Sequence, residues 1–212
     1  MSNVFFLDLD GPVFPETHIL MEMESFQPYP GKIDHKGWIT YWKADPLFIH
    51  FFNSLMDVHQ FKTVLSTSWA KVLPLELVQE VLEINGVNVV YHSDPVTPEY
   101  FSPHGFFQKE SNRALEIQTW LGNHPEVTQY IILDDPWSGR HLDEDGHNLD
   151  KDRIFLVNPD VGLDSDTIKD IRYIVHNQWA RQVTPLWELN ALWQNLLEVN
   201  LSIYRIWMGK LP

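Results

Sequence analysis

Two short apolar runs in this chain end in paired aspartates, and this pattern restricts the possible folds more than any other feature. Val4–Leu7 leads into Asp8-Leu9-Asp10-Gly11-Pro12, and Tyr130–Leu133 leads into Asp134-Asp135-Pro136. A short apolar run closed by turn-forming residues reads as a buried strand. Like charges crowded at a buried strand end are costly unless a cation neutralises them. Two such ends point to strands whose carboxyl termini share one site.

The remaining segments alternate between strand and helix patterns. Lys62–Leu65, Val87–Tyr91 and Ile154–Val157 read as further strands. Asp45-Pro46 opens a helix as N-cap and first-turn proline, with Leu47, Phe48, Phe51, Phe52, Leu55 and Met56 as its apolar face. Pro74–Ile84 reads as a helix with Leu75, Val78, Val81 and Leu82 inward, stopped by Asn85-Gly86. Residues 92–111 read as a loop. Arg113–Leu121 reads as a helix with Ile117, Trp120 and Leu121 inward and Gly122 as its stop, and Asp164–Val175 as the last helix of the alternation. Such alternation predicts an α/β fold with a parallel sheet and a site at its carboxyl edge.

Two segments stand outside this pattern. Residues 13–44 are too long for a simple connection and rich in proline, glycine and aromatics, as functional lids often are. From about Thr184, residues Leu189, Leu192, Trp193, Leu196, Leu197, Ile203, Tyr204 and Trp207 follow helical spacing. They predict one long helix or two short ones. This extension packs on the domain, forms a homodimer seam, or leads to an additional domain.

A formal net charge of −14, with only 15 Lys and Arg, disfavours nucleic acid and anionic membranes as partners. It leaves phosphorylated substrates open, because a bound divalent cation inverts the local field. The absence of cysteine excludes disulfides, thiolate catalysis and Cys-based zinc sites, and fits a reducing compartment. No basic-then-apolar leader and no long apolar run is present, so neither a signal peptide nor a transmembrane segment is expected.

Asp8 and Asp10, at i and i+2 beyond a strand, can both reach a site at the sheet edge. One carboxylate can attack phosphorus, and a second can give a proton to the leaving oxygen and later activate water. Asp-x-Asp-Gly also opens calcium loops, but no glutamate closes such a loop here, Glu16 being too early. Asp8, Asp134 and a backbone carbonyl near Asp10 would suffice for magnesium, a hard cation that keeps several waters. Ser66 and Thr67 follow another strand and can hold a phosphate oxygen, or cap a helix. Lys109 and Arg113 flank a helix start, where a cation could balance phosphoryl oxygens. His141 and His147 flank an acidic loop that reads as solvated.

The order of these segments resembles the haloacid dehalogenase (HAD) superfamily over roughly residues 3–176. Phe5-Phe6-Leu7-Asp8-Leu9-Asp10-Gly11 looks like its first motif, and Val64-Leu65-Ser66-Thr67-Ser68-Trp69 looks like the second. Ile131-Ile132-Leu133-Asp134-Asp135 is similar to the fourth in its double-aspartate form. The stretch from Arg113 through Leu121, followed by His124-Pro125, resembles a subgroup of small HAD proteins, some phage-encoded or attached to nucleic-acid repair modules. That subgroup favours Arg113 as the third-motif cation, whereas Lys109 fits the more usual lysine.

The resemblance implies a three-layer, Rossmann-like sheet of strand order 5-4-1-2-3. It implies a catalytic domain over 1–176, with a flap or cap at 13–44, and leaves a helical extension over 177–212. Asp8 would be nucleophile and magnesium ligand. Asp10 would be the general acid/base, with its backbone carbonyl on the metal. Ser66, or else Thr67, would bind the transferring phosphoryl. Asp134 would ligate Mg2+, and Asp135 would ligate it or orient its waters. The expected activity is phosphomonoester hydrolysis in the cytoplasm, or in a host cytoplasm for a secreted effector. Substrates would be small molecules or proteins, with aryl phosphates such as phosphotyrosine favoured by the aromatic insert. Phe14, Phe26, Tyr29, Trp38, Tyr41 and Trp42 could line the entrance. Two alternatives are a nucleic-acid end phosphatase and a non-catalytic interaction module on the same scaffold.

Overall fold

The computed structural model describes residues 2–15, 42–99, 112–144 and 146–176. The chain divides into two units, Met1–Ile171 and Arg172–Pro212. The first holds a five-stranded sheet of order β3-β2-β1-β4-β5. Its strands are β1 (Ser2–Leu7), β2 (Lys62–Leu65), β3 (Tyr91–Val96), β4 (Val127–Asp134) and β5 (Ile154–Leu156). Every pairing is parallel. Read from the other edge, this is the order that the resemblance implied.

The helices are α1 (Pro46–His59), α2 (Trp69–Val72), α3 (Leu75–Ile84), α4 (Arg113–Asn123) and α5 (Ser165–Ile174), with a 3-10 turn at Lys151–Arg153. β1 is central and covered on both faces, which is why its sequence is continuously apolar instead of alternating. Phe5 turns to one face, where its ring meets Phe52 and Phe61 edge-on at 5.4 and 5.8 Å. Phe6 turns to the other and meets Trp120 and Tyr130 at 5.2 and 6.2 Å. Val4, Val64, Ala114, Ile117 and Ile132 complete that second core.

Asp45 caps α1 as the sequence predicts, its side chain accepting from Leu47 N at 2.9 Å, with Pro46 in the first turn. The chain leaves α1 at Gln60 in the left-handed region. Five of the six expected face residues are buried, but Leu47 is 44% exposed because it precedes the inward stripe that starts at Phe48. In α3 the buried set is Leu77, Val78, Val81 and Leu82, so Leu77 takes the place expected for Leu75.

Two boundaries differ from the sequence reading. The edge strand lies at Tyr91–Val96, not Val87–Tyr91. It is half-exposed and carries Pro95, so it shows neither an apolar run nor clean alternation, and an edge tolerates the missing amide. Helix α4 continues through Gly122 to Asn123. A Cβ at Gly122 would meet nothing within 4 Å, so nothing there demands glycine. The helix ends instead at His124, whose ring stacks on Trp120 at 3.8 Å and whose Nδ1 pairs with Trp120 O at 2.8 Å. The short α2 and the 3-10 turn have no periodicity to announce them.

Most of the expected insert (16–41) and all of the expected extension (177–212) lie outside the described residues. The insert's two ends are described, and they meet: Asp45 N donates to Val13 O at 2.9 Å. None of the described helices is long and apolar enough to cross a membrane.

Phe6 is fully buried between Trp120 and Tyr130. Phe6→Ala should cost about 3–5 kcal/mol, read as a lower urea midpoint with unchanged slope.

Candidate active site

Sheet register brings the acidic strand ends together. Leu7 pairs with Leu65 on one side and Leu133 on the other. Asp8, Ser66 and Asp134 therefore follow in adjacent rows at the carboxyl edge. Ladder hydrogen bonds continue across these residues: Asp8 N to Leu133 O at 3.0 Å, Ser66 N to Leu7 O at 2.9 Å, and Val157 N to Asp134 O at 2.9 Å.

Asp8, Asp134 and Asp135 are all buried, and each offers a carboxylate oxygen within 4.8 Å of the others. Asp8 Oδ2 and Asp134 Oδ2 have no hydrogen-bond partner. Asp135 is held by its own turn, accepting from Trp137 N at 2.6 Å, Ser138 N at 3.2 Å and Ser138 Oγ at 2.5 Å. Gly11 (φ +88°) lets the loop after β1 lie against this turn. A Cβ on Gly11 would come within 3.1 Å of Pro159 Cα and 3.2 Å of Asp135 Cβ.

Arg113, at the start of α4, is 3% exposed and reaches three carboxylates. Its Nε lies 3.1 Å from Asp134 Oδ2, though not aligned for a hydrogen bond. Its terminal nitrogens lie 3.5 Å from Asp8 Oδ1 and 3.4 Å from Glu116 Oε2. Glu116 is fully buried and also pairs with Lys71 of α2.

Burial raises the Asp8 carboxyl well above the ordinary range, with Asp134 adding to the rise and Arg113 opposing it. Burial likewise pushes Asp134 up to about 7 against the pull of Arg113. Buried carboxylate oxygens without donors are poorly placed as hydrogen-bonding groups but well placed as ligands for a hard divalent cation. Asp8, Asp134, Asp135 and Glu116 oppose Arg113 and Lys71 here. A divalent cation brings that set to charge balance.

Asp10 is half-buried. Its Oδ1 accepts from Trp69 Nε1 at 2.8 Å, and Ser68 Oγ lies 3.4 Å from its Oδ2. Burial raises its pKa, and these two donors oppose the rise. Ser66 Oγ is buried without a hydrogen-bond partner beside Asp8's row. Thr67 is also buried, but its Oγ1 accepts from Trp69 N at 3.4 Å and so serves the turn into α2. Lys109 lies outside the described residues, as do Phe26, Tyr29, Trp38 and Tyr41. Phe14 and Trp42 are described. With Trp137 and Pro159 they wall a cavity of about 440 Å³ that opens over Asp10 and Asp135. Trp137 is 80% exposed at this mouth. His141 pairs with Glu144 at 2.9 Å on the surface.

The model of the HAD domain in Swiss Army Knife RNA repair proteins matches residues 4–168. The chain belongs to this HAD family. A hydrolase of the haloacid dehalogenase-like family from Streptococcus pneumoniae is similar in structure, at 16% identity and a TM-score of 0.39, over 80% of this chain and 90% of that one. A comparison with curated proteins finds no match.

Within this HAD domain, sequence reasoning passed over Glu116, Lys71, Trp69, Ser138 and Trp137. Glu116 was legible in principle, since it stands one turn from Arg113 and beside Ile117 on an inward helical face. Lys71 and Ser138 carry no comparable signal, because their partners are distant in sequence or set by a turn.

The raised carboxyls make a linkage prediction. Stability from a group with a raised folded pKa is complete below its ordinary value and is lost as pH rises through the folded value. For Asp134 that window runs from 3.8 to about 7. The metal-free protein should therefore lose thermal stability as pH climbs through this window. A saturating divalent cation at pH 8 should restore it by roughly 3 kcal/mol at a hundredfold excess over Kd. Asp134→Asn should flatten both responses. A melting temperature indifferent to cation in the wild type would contradict the site.

Proposed function

We propose that this chain is a magnesium-dependent phosphomonoester hydrolase that works through an aspartyl-phosphate. The observation that carries the reading is the pair of buried carboxylates of Asp8 and Asp134, each with one oxygen that accepts no hydrogen bond, gathered around Arg113 at one sheet edge with Asp10 beside them. A scaffold retained only for binding has no use for buried carboxylates that one arginine compensates only in part, because they cost stability.

In the first step an Asp8 oxygen bonds to phosphorus as the bond to the leaving oxygen breaks, and Asp10 gives that oxygen its proton. In the second, Asp10 as carboxylate takes a proton from water while the water oxygen bonds to phosphorus. The acyl-phosphate bond then breaks, releasing inorganic phosphate and regenerating Asp8. Ser66 and the adjacent backbone amides hold phosphoryl oxygens, and Arg113 offsets the charge around the nucleophile. Asp8, Asp134, Asp135 and the Asp10 carbonyl would hold Mg2+, which supplies charge stabilisation to the transferring phosphoryl. Contact with Asp8 favours Arg113 over Lys109 as the third-motif cation.

The cavity over Asp10 lies where a leaving group would sit, and its ring-lined walls suit a planar group. An aryl phosphate such as phosphotyrosine fits this mouth. The family description favours a second reading, a terminal phosphate on RNA, with the adjoining base stacked on exposed Trp137. The net charge of −14 weighs against extended backbone contact, so this reading is confined to a chain end.

Hydrolysis of p-nitrophenyl phosphate should need magnesium and stop with chelator. Asp8→Asn should lower kcat by roughly 10³-fold or more, and Asp10→Asn by roughly 10²–10⁴-fold, both in folded protein. Turnover that survives Asp8→Asn would remove Asp8 as nucleophile. Comparing a phosphotyrosine peptide with 3′- and 5′-phosphorylated oligoribonucleotides decides the substrate class. A Trp137→Ala variant should raise KM about tenfold for the preferred class alone.

A further inference from the structure

Asp10 stands outside the sheet ladder, on the turn where the insert begins, and a general acid there must be aimed by something else. The aiming group is within reach. Trp69 is 5% exposed, and its Nε1 donates to Asp10 Oδ1 at 2.8 Å. Its ring is fixed on two sides. Phe14 stacks on it with ring centroids 5.3 Å apart and planes within 3°, and Trp42 meets it at 4.3 Å and 65°. Phe14 is itself fully buried and belongs to the same turn as Asp10, which its backbone bridges. The ring that holds the carboxylate is thus packed against the segment that carries it.

An indole N–H can only donate, whereas a hydroxyl can donate or accept. Oδ1, facing the indole, is therefore an acceptor in either protonation state of Asp10. Oδ2, facing Ser68 Oγ at 3.4 Å, has a partner that tolerates both states. We propose that Trp69 is the positioning residue for Asp10: its N–H reserves Oδ1 as a permanent acceptor and so assigns Oδ2 as the oxygen that passes the proton to the leaving group. This inference rests on the phosphatase reading above. The proton leaves Oδ2 for the departing oxygen as the phosphorus–oxygen bond breaks, and Oδ2 later takes one back from the attacking water.

Misdirecting a general acid harms poor leaving groups most, because good ones depart without protonation. The test is a series of substituted phenyl phosphates, from p-nitrophenyl to phenyl, with wild type and Trp69→Phe in magnesium. Trp69→Phe keeps a ring in the stack and deletes the donor. We expect kcat/KM, which reports the leaving-group step and not the shared hydrolysis of the aspartyl-phosphate, to fall roughly tenfold more for phenyl phosphate than for p-nitrophenyl phosphate. If the phenylalanine variant melts early, replacing the Trp69 indole by its benzothiophene isostere keeps the whole ring and removes only the N–H, and it should steepen the series in the same way. An equal loss across the series, or no loss, in the folded variant would overturn the assignment while leaving the phosphatase reading intact. Wild type inactive on the whole series, and on the phosphopeptide and oligoribonucleotides, would overturn both.

Discussion

The arrangement depends on one buried guanidinium. Arg113 is almost without solvent, and each arm of its fork faces a carboxylate on a different part of the fold: Asp8 after β1, Asp134 at the end of β4, and Glu116 within its own helix. Three carboxylates brought to one sheet edge would repel one another and favour neutralisation by protons. Arginine cannot lose its charge at ordinary pH, so it lowers that repulsion permanently and ties α4 to the two central strands. Glu116 then fixes the guanidinium from behind, and Lys71 balances Glu116 in turn. The compensation stops short of completion, a deficit that one more positive species would meet.

The sheet was legible in the sequence because its central strands are buried on both faces. Continuous apolar runs at Val4–Leu7 and Tyr130–Leu133 can hardly be anything else, and the aspartates after them locate the carboxyl edge. The edge strand at Tyr91–Val96 was not legible, because a half-exposed strand needs no pattern and Pro95 disguises it. The candidate site was readable to the extent that it hangs on strand ends. Asp8, Ser66 and Asp134 fall into adjacent rows by register alone. What supports them was less readable. Glu116 and Lys71 act through contacts between elements far apart in sequence, and Trp69 shows its part only once the turn at Asp10 is folded beside it.

The aromatic residues divide by where they sit relative to this edge. Phe5, Phe6 and Trp120 fill the two cores and owe their positions to packing. Phe14, Trp42 and Trp69 form a smaller group above the edge, where apolar packing and a polar handle meet in one ring system. In that group the indole N–H of Trp69 meets the Asp10 carboxylate while its ring packs against Phe14 and Trp42. Trp137 stands apart from both groups, and its exposure beside the mouth is uncommon for so large a ring.

The meeting of the insert's ends has a further consequence. Because Asp45 N closes onto Val13 O, the stretch between them is bracketed on both sides by the fold. The entropic cost of closing such a stretch grows only slowly with its length. A lineage could therefore lengthen, shorten or exchange what lies between Phe14 and Trp42 while the strand ends, the guanidinium and Asp10 stay as they are. The residues of the sheet edge and the make-up of the stretch could then change independently, with Phe14 and Trp42 as the border between them.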